Sequence, residues 1–208
     1  MENGQIKAVV FDLGNVLIDF DHRIAAGKIA SFTAKAPEEI FRLFFDSPLT
    51  ADFESGKIPP QEFFCQVKKL LGLKIGYAQF VPIWNEIFFV TDKNRAVYEL
   101  AVLLRRKFKV GLLSNINILH LDYLQKNFSV FDVFDKIITS CELGVQKPDA
   151  VIYSKAVEAL GADFRETFYT DDRPELVEQA RALGIRGFVF RGVAQLEADL
   201  KSQGIIIE

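Results

Sequence analysis

Polar residues stand at the ends of short apolar runs at four places in this chain: Asp12 after IKAVVF, Ser114 and Asn115 closing KVGLLSN, Lys147 in GVQKPD, and Asp171-Asp172 after TFYT. Each residue type has a job in phosphoryl transfer. A carboxylate can attack phosphorus and form an aspartyl-phosphate. Neighbouring carboxylates can hold a magnesium ion, which takes oxygen ligands and bridges to a substrate phosphate. A lysine supplies compact positive charge to carboxylates and phosphate alike. A serine hydroxyl, with backbone N–H groups opening into a helix, suits a phosphate oxygen. Each residue alone also has a plainer explanation. A strand-end aspartate is commonly a turn or a cap. A Ser-Asn pair caps helices, Lys-Pro marks surface loops, and an Asp-Asp pair fits a solvated turn. What favours the chemical reading is their order, each at the end of a separate β-like run.

The elements that must position these residues follow from the pattern. Apolar runs rich in β-formers recur at 6–11, 109–114, 134–140, 167–171 and 186–191. Helical patterns lie between the later ones, from Ile118 to about Phe128, Asp149 to Leu160 and Glu175 to Leu183. Strands alternating with helices at this spacing predict an α/β fold, with a Rossmann-like parallel sheet and helices on both faces. Ligands of such sheets bind outside the carboxyl ends of the strands, which is where the polar residues fall. Gly161 and Gly184 lie just past two helices, where left-handed backbone is common. Residues 20–91 break the rhythm, with no convincing strand. They hold amphipathic stretches at Ala25–Thr33, Pro37–Phe45, Pro60–Leu71 and Tyr77–Phe89, separated by Pro37, Pro48, Gly56, Pro59-Pro60 and Gly72. This predicts an all-helical insertion at 20–91 in an α/β core made of 1–19 and 92–208. The terminal GIIIE is a candidate edge strand.

Composition limits the function classes. The chain has 208 residues, half of them apolar, with 25 Lys and Arg against 28 Asp and Glu. A net charge of −3 offers no basic footprint for nucleic acid and no polybasic membrane tag. No apolar stretch approaches the roughly 20 residues that span a bilayer. MENGQIKAVVFD has no long apolar signal core before it meets an acid, so a cytoplasmic protein is expected. Cys65 and Cys141 lie far apart, in no metal spacing, and are expected to be free thiols. Twenty phenylalanines against one tryptophan suggest core packing and an apolar pocket wall.

Together the four stretches resemble the four motifs of the haloacid dehalogenase superfamily of phosphohydrolases. FDLGNVL resembles the first, LLSN the second, GVQKPD the third and FYTDDRPE the fourth. The resemblance spans nearly the whole chain. It implies Asp12 as nucleophile, Ser114 on the phosphate, Lys147 as the counter-charge, and Asp172 as main magnesium ligand with Asp171 beside it. The helical insertion resembles the family's cap, which closes over the active site. The DLGNV phrase and ESGKIPPQEF resemble a subgroup that includes sugar-1-phosphate phosphatases. The expected site therefore has Asp12 and Lys147 as catalytic residues. Ser114, Asn115, Gly14 and Asn15 surround the phosphate, and Asp12, Gly14, Asp171 and Asp172 hold Mg²⁺. The expected substrate is a small phosphorylated metabolite, and the expected assembly is a monomer or homodimer.

One position departs from the family pattern. Most of its phosphatases carry a second aspartate two residues after the nucleophile, as general acid and base; here that residue is Gly14. The resemblance implies that the backbone carbonyl at this position binds the metal, so the metal contact survives and the proton shuttle is lost. A positioned acid or base is worth about 10²–10⁴-fold in rate. Three readings follow: a phosphatase whose leaving group needs little protonation, a metal-independent haloacid dehalogenase, or a catalytically weak binding or regulatory protein. The crowding of Asp171 against Asp172 argues against the second. Asp19, Asp21 and His22 are candidates for a substitute shuttle, with hinge polarity or a helix cap as their plainer role. His120 reads as structural, Arg173 as a surface residue or phosphate neighbour, and Glu54 as a residue that could face the substrate.

Overall fold

The computed structural model describes residues 5–45 and 47–206. Five parallel strands form the central sheet: β1 (Ala8–Phe11), β4 (Lys109–Ser114), β5 (Lys136–Thr139), β6 (Thr167–Asp171) and β7 (Arg186–Val189). Their order is β5-β4-β1-β6-β7. β1 is central, with Ala8 aligned to Lys109 on one side and Thr167 on the other. That position explains why all four of its residues are apolar and buried. Its side chains alternate between the faces. Val9 and Phe11 join a core built with α6 (Asp92–Leu104), α7 (Ile118–Asn127) and α11 (Val193–Ser202). Ala8 and Val10 join the opposite core, with α9 (Ala150–Leu160) and α10 (Pro174–Ala182). Helices therefore cover both faces, as the alternation predicts. Gly161 and Gly184 take positive φ of 65° and 96° past the two helices named for them.

The stretch between β1 and α6 is helical: α1 (His22–Ala30), α2 (Pro37–Phe45), α3 (Pro48–Glu54), α4 (Pro60–Leu71) and α5 (Tyr77–Asn85). These helices share a core of their own, rich in phenylalanine. Phe53 stacks on Phe63 at 4.1 Å, and Trp84 meets Phe44 at 4.8 Å and Phe63 at 4.9 Å. Much of the aromatic bias of the composition is spent there.

Three regions differ from the sequence expectation. α3 begins at Pro48, a residue expected to break structure. Proline suits the first helical turn, and Ser47 caps it by accepting from the Thr50 N–H at 3.1 Å. Residues 20–91 do contain strand: β2 (Asp19–Phe20) pairs antiparallel with β3 (Phe88–Phe89). This ends α5 at Asn85, short of the expected Phe89, because the chain must turn extended to pair. The ribbon is two residues long on each side, too short to leave a periodic signal. In the tail, Gly204–Ile206 form no strand; Ile205 is buried against the core beside α11 instead. Ile207 and Glu208 lie outside the described residues. α8 (Ser140–Leu143) is a single turn after β5, and two 3₁₀ turns, Ser129–Phe131 and Phe164–Glu166, complete the elements.

Candidate active site

The parallel strands deliver their polar ends to one edge. Asp12 directly follows β1, and its N–H still pairs with Thr170 O at 2.9 Å, which aligns it with the end of β6. Ser114 ends β4 and Asp171 ends β6. Lys147 arrives from the loop between α8 and α9. Its Nζ donates to Asp12 Oδ1 at 2.6 Å, Asp171 Oδ2 at 2.7 Å and Leu113 O at 3.1 Å, so all three ammonium protons are placed. The Lys147 side chain is 2% exposed and that of Asp171 is 0% exposed. Asp12, Asp171 and Asp172 each bring an oxygen to within 4.8 Å of the others.

The three acids are not equivalent. Asp171 Oδ2 accepts from Lys147 and the Tyr169 hydroxyl, and its Oδ1 accepts from the Arg173 N–H at 2.9 Å. Both of its oxygens are thus committed to protein donors. Asp12 gives one oxygen to Lys147. Asp172 gives Oδ2 to Asn15 Nδ2 at 2.9 Å. Each of these two acids keeps an oxygen free of any hydrogen-bond partner among the described residues. Burial raises the pKa of Asp12; Lys147 pulls it down, and the charges of Asp171 and Asp172 push it up again. Asp172 is also raised, chiefly by burial, against the hydrogen bond from Asn15. Burial works against the Lys147 cation, but Asp12 and Asp171 outweigh it and hold the ammonium protonated. One cation faces three carboxylates, so the donor set carries an excess of negative charge in a poorly solvated place. Such a set fits a divalent ion that prefers oxygen ligands.

The remaining motif residues hold this cluster in place. Asn115 forms a reciprocal pair with the Lys147 backbone: Nδ2 donates to Lys147 O at 2.9 Å, and Oδ1 accepts from Lys147 N–H at 2.8 Å. Asn15 sits in left-handed backbone with φ 56°. Its N–H donates to Ile18 O at 2.8 Å, and Lys93 Nζ donates to its carbonyl at 2.9 Å. Both asparagines line the cavity, yet their side chains are spent on Lys147 and Asp172. Ser114 is buried and lines the cavity. The helix that follows is capped by Asn117, not by Ser114 or Asn115, through the His120 N–H at 3.0 Å. Sequence reasoning did not single out Tyr169, Asn94 or Lys93. The last two bind Asp19 at 3.1 Å and 2.6 Å and so tie the start of the insertion to α6.

A sequence model of haloacid dehalogenase-like hydrolases matches residues 6–184. The chain belongs to that family. Phosphatase MT3486 of Mycobacterium tuberculosis is 29% identical over 211 residues, which cover 98% of this chain and 97% of that protein. D-ribitol-5-phosphate phosphatase of Bacteroides thetaiotaomicron is 25% identical over 189 residues, covering 88% and 91%. A HAD-family enzyme from the same organism, crystallised with magnesium and inorganic phosphate, aligns with a TM-score of 0.78 at 29% identity. That alignment covers 89% of this chain and 94% of the crystallised one.

The cavity of this hydrolase has a volume of about 610 Å³ and runs from the acid cluster to the helical insertion. Phe20, Phe45, Ile87 and Phe88 form apolar wall, and Glu54 and His22 add polar groups from the insertion. Asp21 caps α1 by accepting from the Arg23 N–H at 2.9 Å, its plainer expected role. His22 is 8% exposed, and its Nδ1 has no partner among the described residues. Burial lowers its pKa to about 4. His120 is structural: Nδ1 meets Asn117 Nδ2 at 2.9 Å and Nε2 meets Trp84 O at 3.1 Å, while burial lowers its pKa to about 3. At Gly14, an added Cβ would lie 2.8 Å from Phe20 Cε1. The hydrolase therefore lacks the second acid and also fills the space where its side chain would start. Among the described residues, no helix is long and apolar enough to cross a membrane. Cys65 and Cys141 are free thiols.

Proposed function

We propose that this hydrolase is a magnesium-dependent phosphatase of a small phosphorylated metabolite, with a sugar phosphate as the favoured class. The arrangement of Asp12, Lys147, Asp171 and Asp172 around one cavity carries the reading. The phosphatase relatives and the magnesium and phosphate in the related crystal structure support it. The Asp12 carboxylate attacks phosphorus in line with the leaving oxygen and becomes an aspartyl-phosphate, which water then hydrolyses. Lys147 keeps Asp12 and Asp171 together with a phosphate in one pocket by supplying the counter-charge. Ser114 and backbone N–H groups near Gly14 and Asn115 hold the phosphate oxygens. Asp12, Asp172 and the Gly14 carbonyl would hold the magnesium ion, which supplies charge neutralisation at those oxygens when bound. Asn15 and Asn115 orient Asp172 and Lys147. Residues 20–91 act as a cap that excludes bulk water, consistent with the DLGNV subgroup resemblance.

Turnover of 4-nitrophenyl phosphate with added magnesium tests the reading. Asp12→Asn should remove it while leaving the unfolding curve cooperative; undiminished turnover would refute the nucleophile. EDTA should abolish the wild-type activity. Chelator-resistant release of halide from a 2-haloacid would instead favour the dehalogenase reading.

A further inference from the structure

A leaving alkoxide needs a proton, and position 14 cannot supply it. The donor has to come from elsewhere in the cavity. Asp12, Asp171, Asp172 and Lys147 are bound up with one another or with Asn15. His120 has both ring nitrogens engaged, and both histidines are held neutral by burial. Arg173 keeps its charge in any protein. Of the titratable groups that line the cavity, Glu54 is left.

The position of Glu54 is built. It ends α3, and its carbonyl accepts from Ser140 Oγ at 2.6 Å, at the start of α8. Two residues on, Gly56 lies so near α8 that an added Cβ would sit 2.3 Å from Cys141 O. This turn of the insertion is pressed onto the sheet edge that carries the nucleophile. Yet the Glu54 carboxyl has no hydrogen bond or ion pair among the described residues. The charge that reaches it is Arg173, whose guanidinium is bonded to Glu175 at 2.6 Å. On its own turn, Lys57 and Asp52 pair with each other at 3.2 Å. From α8, Glu142 accepts from Thr139 at 2.5 Å. A half-buried, unpartnered carboxyl that faces the substrate cavity is the pattern expected of a catalytic acid.

We infer that Glu54 protonates the leaving oxygen and then serves as base for the attacking water, in place of an acid at position 14. The inference rests on the phosphatase reading. As Asp12 forms its bond to phosphorus, the bond to the leaving oxygen breaks and its electron pair takes the Glu54 proton, giving the alcohol. In the second step water attacks phosphorus, and its proton passes to the Glu54 carboxylate. The Asp12–phosphorus bond then breaks, releasing phosphate and restoring both acids. Burial supports this assignment by raising the pKa of Glu54 to about 7, against the pull of Arg173. That places it close to a neutral working pH, where general acids are most effective.

The test is a leaving-group series, from 4-nitrophenyl phosphate to alkyl and polyol phosphates, with wild type, Glu54→Gln and Glu54→Asp. Glu54→Gln is isosteric and keeps the carbonyl that docks on Ser140. It should lower kcat/KM for alkyl phosphates by about 10²–10⁴-fold, with a clearly smaller loss for 4-nitrophenyl phosphate. The alkaline limb of the wild-type profile on alkyl phosphates, near pH 7, should vanish in Glu54→Gln and persist in Glu54→Asp. An equal loss across the series, or a limb that survives in Glu54→Gln, would overturn the assignment. A wild-type protein inert toward every ester would overturn the phosphatase reading and this assignment with it.

Discussion

The contact between Gly14 and Phe20 makes a quantitative prediction. Alanine at position 14 adds one carbon, 2.8 Å from Phe20 Cε1, whereas the next ring atom, Cδ1, is at an ordinary 3.6 Å. Gly14 is not among the glycines with positive φ, so alanine meets a steric objection only. The ring cannot turn aside cheaply. It packs edge-on to His22 at 5.4 Å and against Phe88 at 6.1 Å, and its backbone is paired in the ribbon. Overpacking of this kind costs about 1–3 kcal/mol. The stiffer unfolded chain returns about 0.4–1 kcal/mol of that. Gly14→Ala should therefore destabilise by about 1–2 kcal/mol. Phe20→Leu removes Cε1, so in that background the same alanine should be neutral or slightly stabilising. Urea unfolding of the four proteins measures the coupling. Additivity within about 0.5 kcal/mol would refute the contact as the reason for glycine. The same geometry bears on the missing acid: Gly14→Asp alone meets the ring, whereas Gly14→Asp with Phe20→Leu has room for a carboxylate. Activity on alkyl phosphates should rise in the double variant above that of Phe20→Leu alone.

Two other predictions concern buried charge. His22 and His120 stay neutral in the fold, with pKa lowered to about 4 and about 3 by burial, while the unfolded chain takes up protons near 6.5. Their contribution is complete above pH 6.5 and is lost as pH falls toward those values. Between pH 8 and pH 5 each should cost about 2 kcal/mol by linkage. His22→Phe should therefore lose about 2 kcal/mol less than wild type over that interval in urea unfolding, and identical losses would refute the burial argument. Lys147→Met strands Asp12 and Asp171 without their cation. It should destabilise by about 3–5 kcal/mol and abolish phosphatase turnover; a variant as stable as wild type would show that the ion pairs add nothing.

Much of this was legible from residue order, for a physical reason. Central parallel strands are buried on both faces, so β1, β4 and β6 stand out as short runs rich in apolar residues, and the polar residue ending each run marks the edge where the acid cluster gathers. Amphipathic helices such as α2 and α4 announce themselves by period and by proline at the first turn. The same proline misled at Pro48, where it opened a helix instead of breaking one. β2 and β3 were invisible because a two-residue strand has no period, and its pairing joins residues nearly seventy positions apart. The clamp of Asn115 on Lys147 and the hydroxyl of Tyr169 on Asp171 were equally hidden. Their meaning depends on which strands become neighbours, and no local spacing encodes that. The side chains of Asn15 and Asn115, expected from sequence to lie around a phosphate, are bonded to Asp172 and to the Lys147 backbone.

The β2–β3 ribbon also bears on how such an enzyme diversifies. Phe20 and Phe88 are cross-strand partners, so the chain re-enters the core about 5 Å from where it left. To the sheet, residues 21–87 amount to one hairpin loop. Lengthening or replacing a loop between fixed ends costs little, because closure entropy grows only slowly with length. The five strands of the central sheet and the three acids of the cluster all lie outside that loop. Recombination at this single joint would exchange Phe45, Glu54 and Ile87 of the cavity wall, while Phe20, Phe88 and the acid cluster stay as they are.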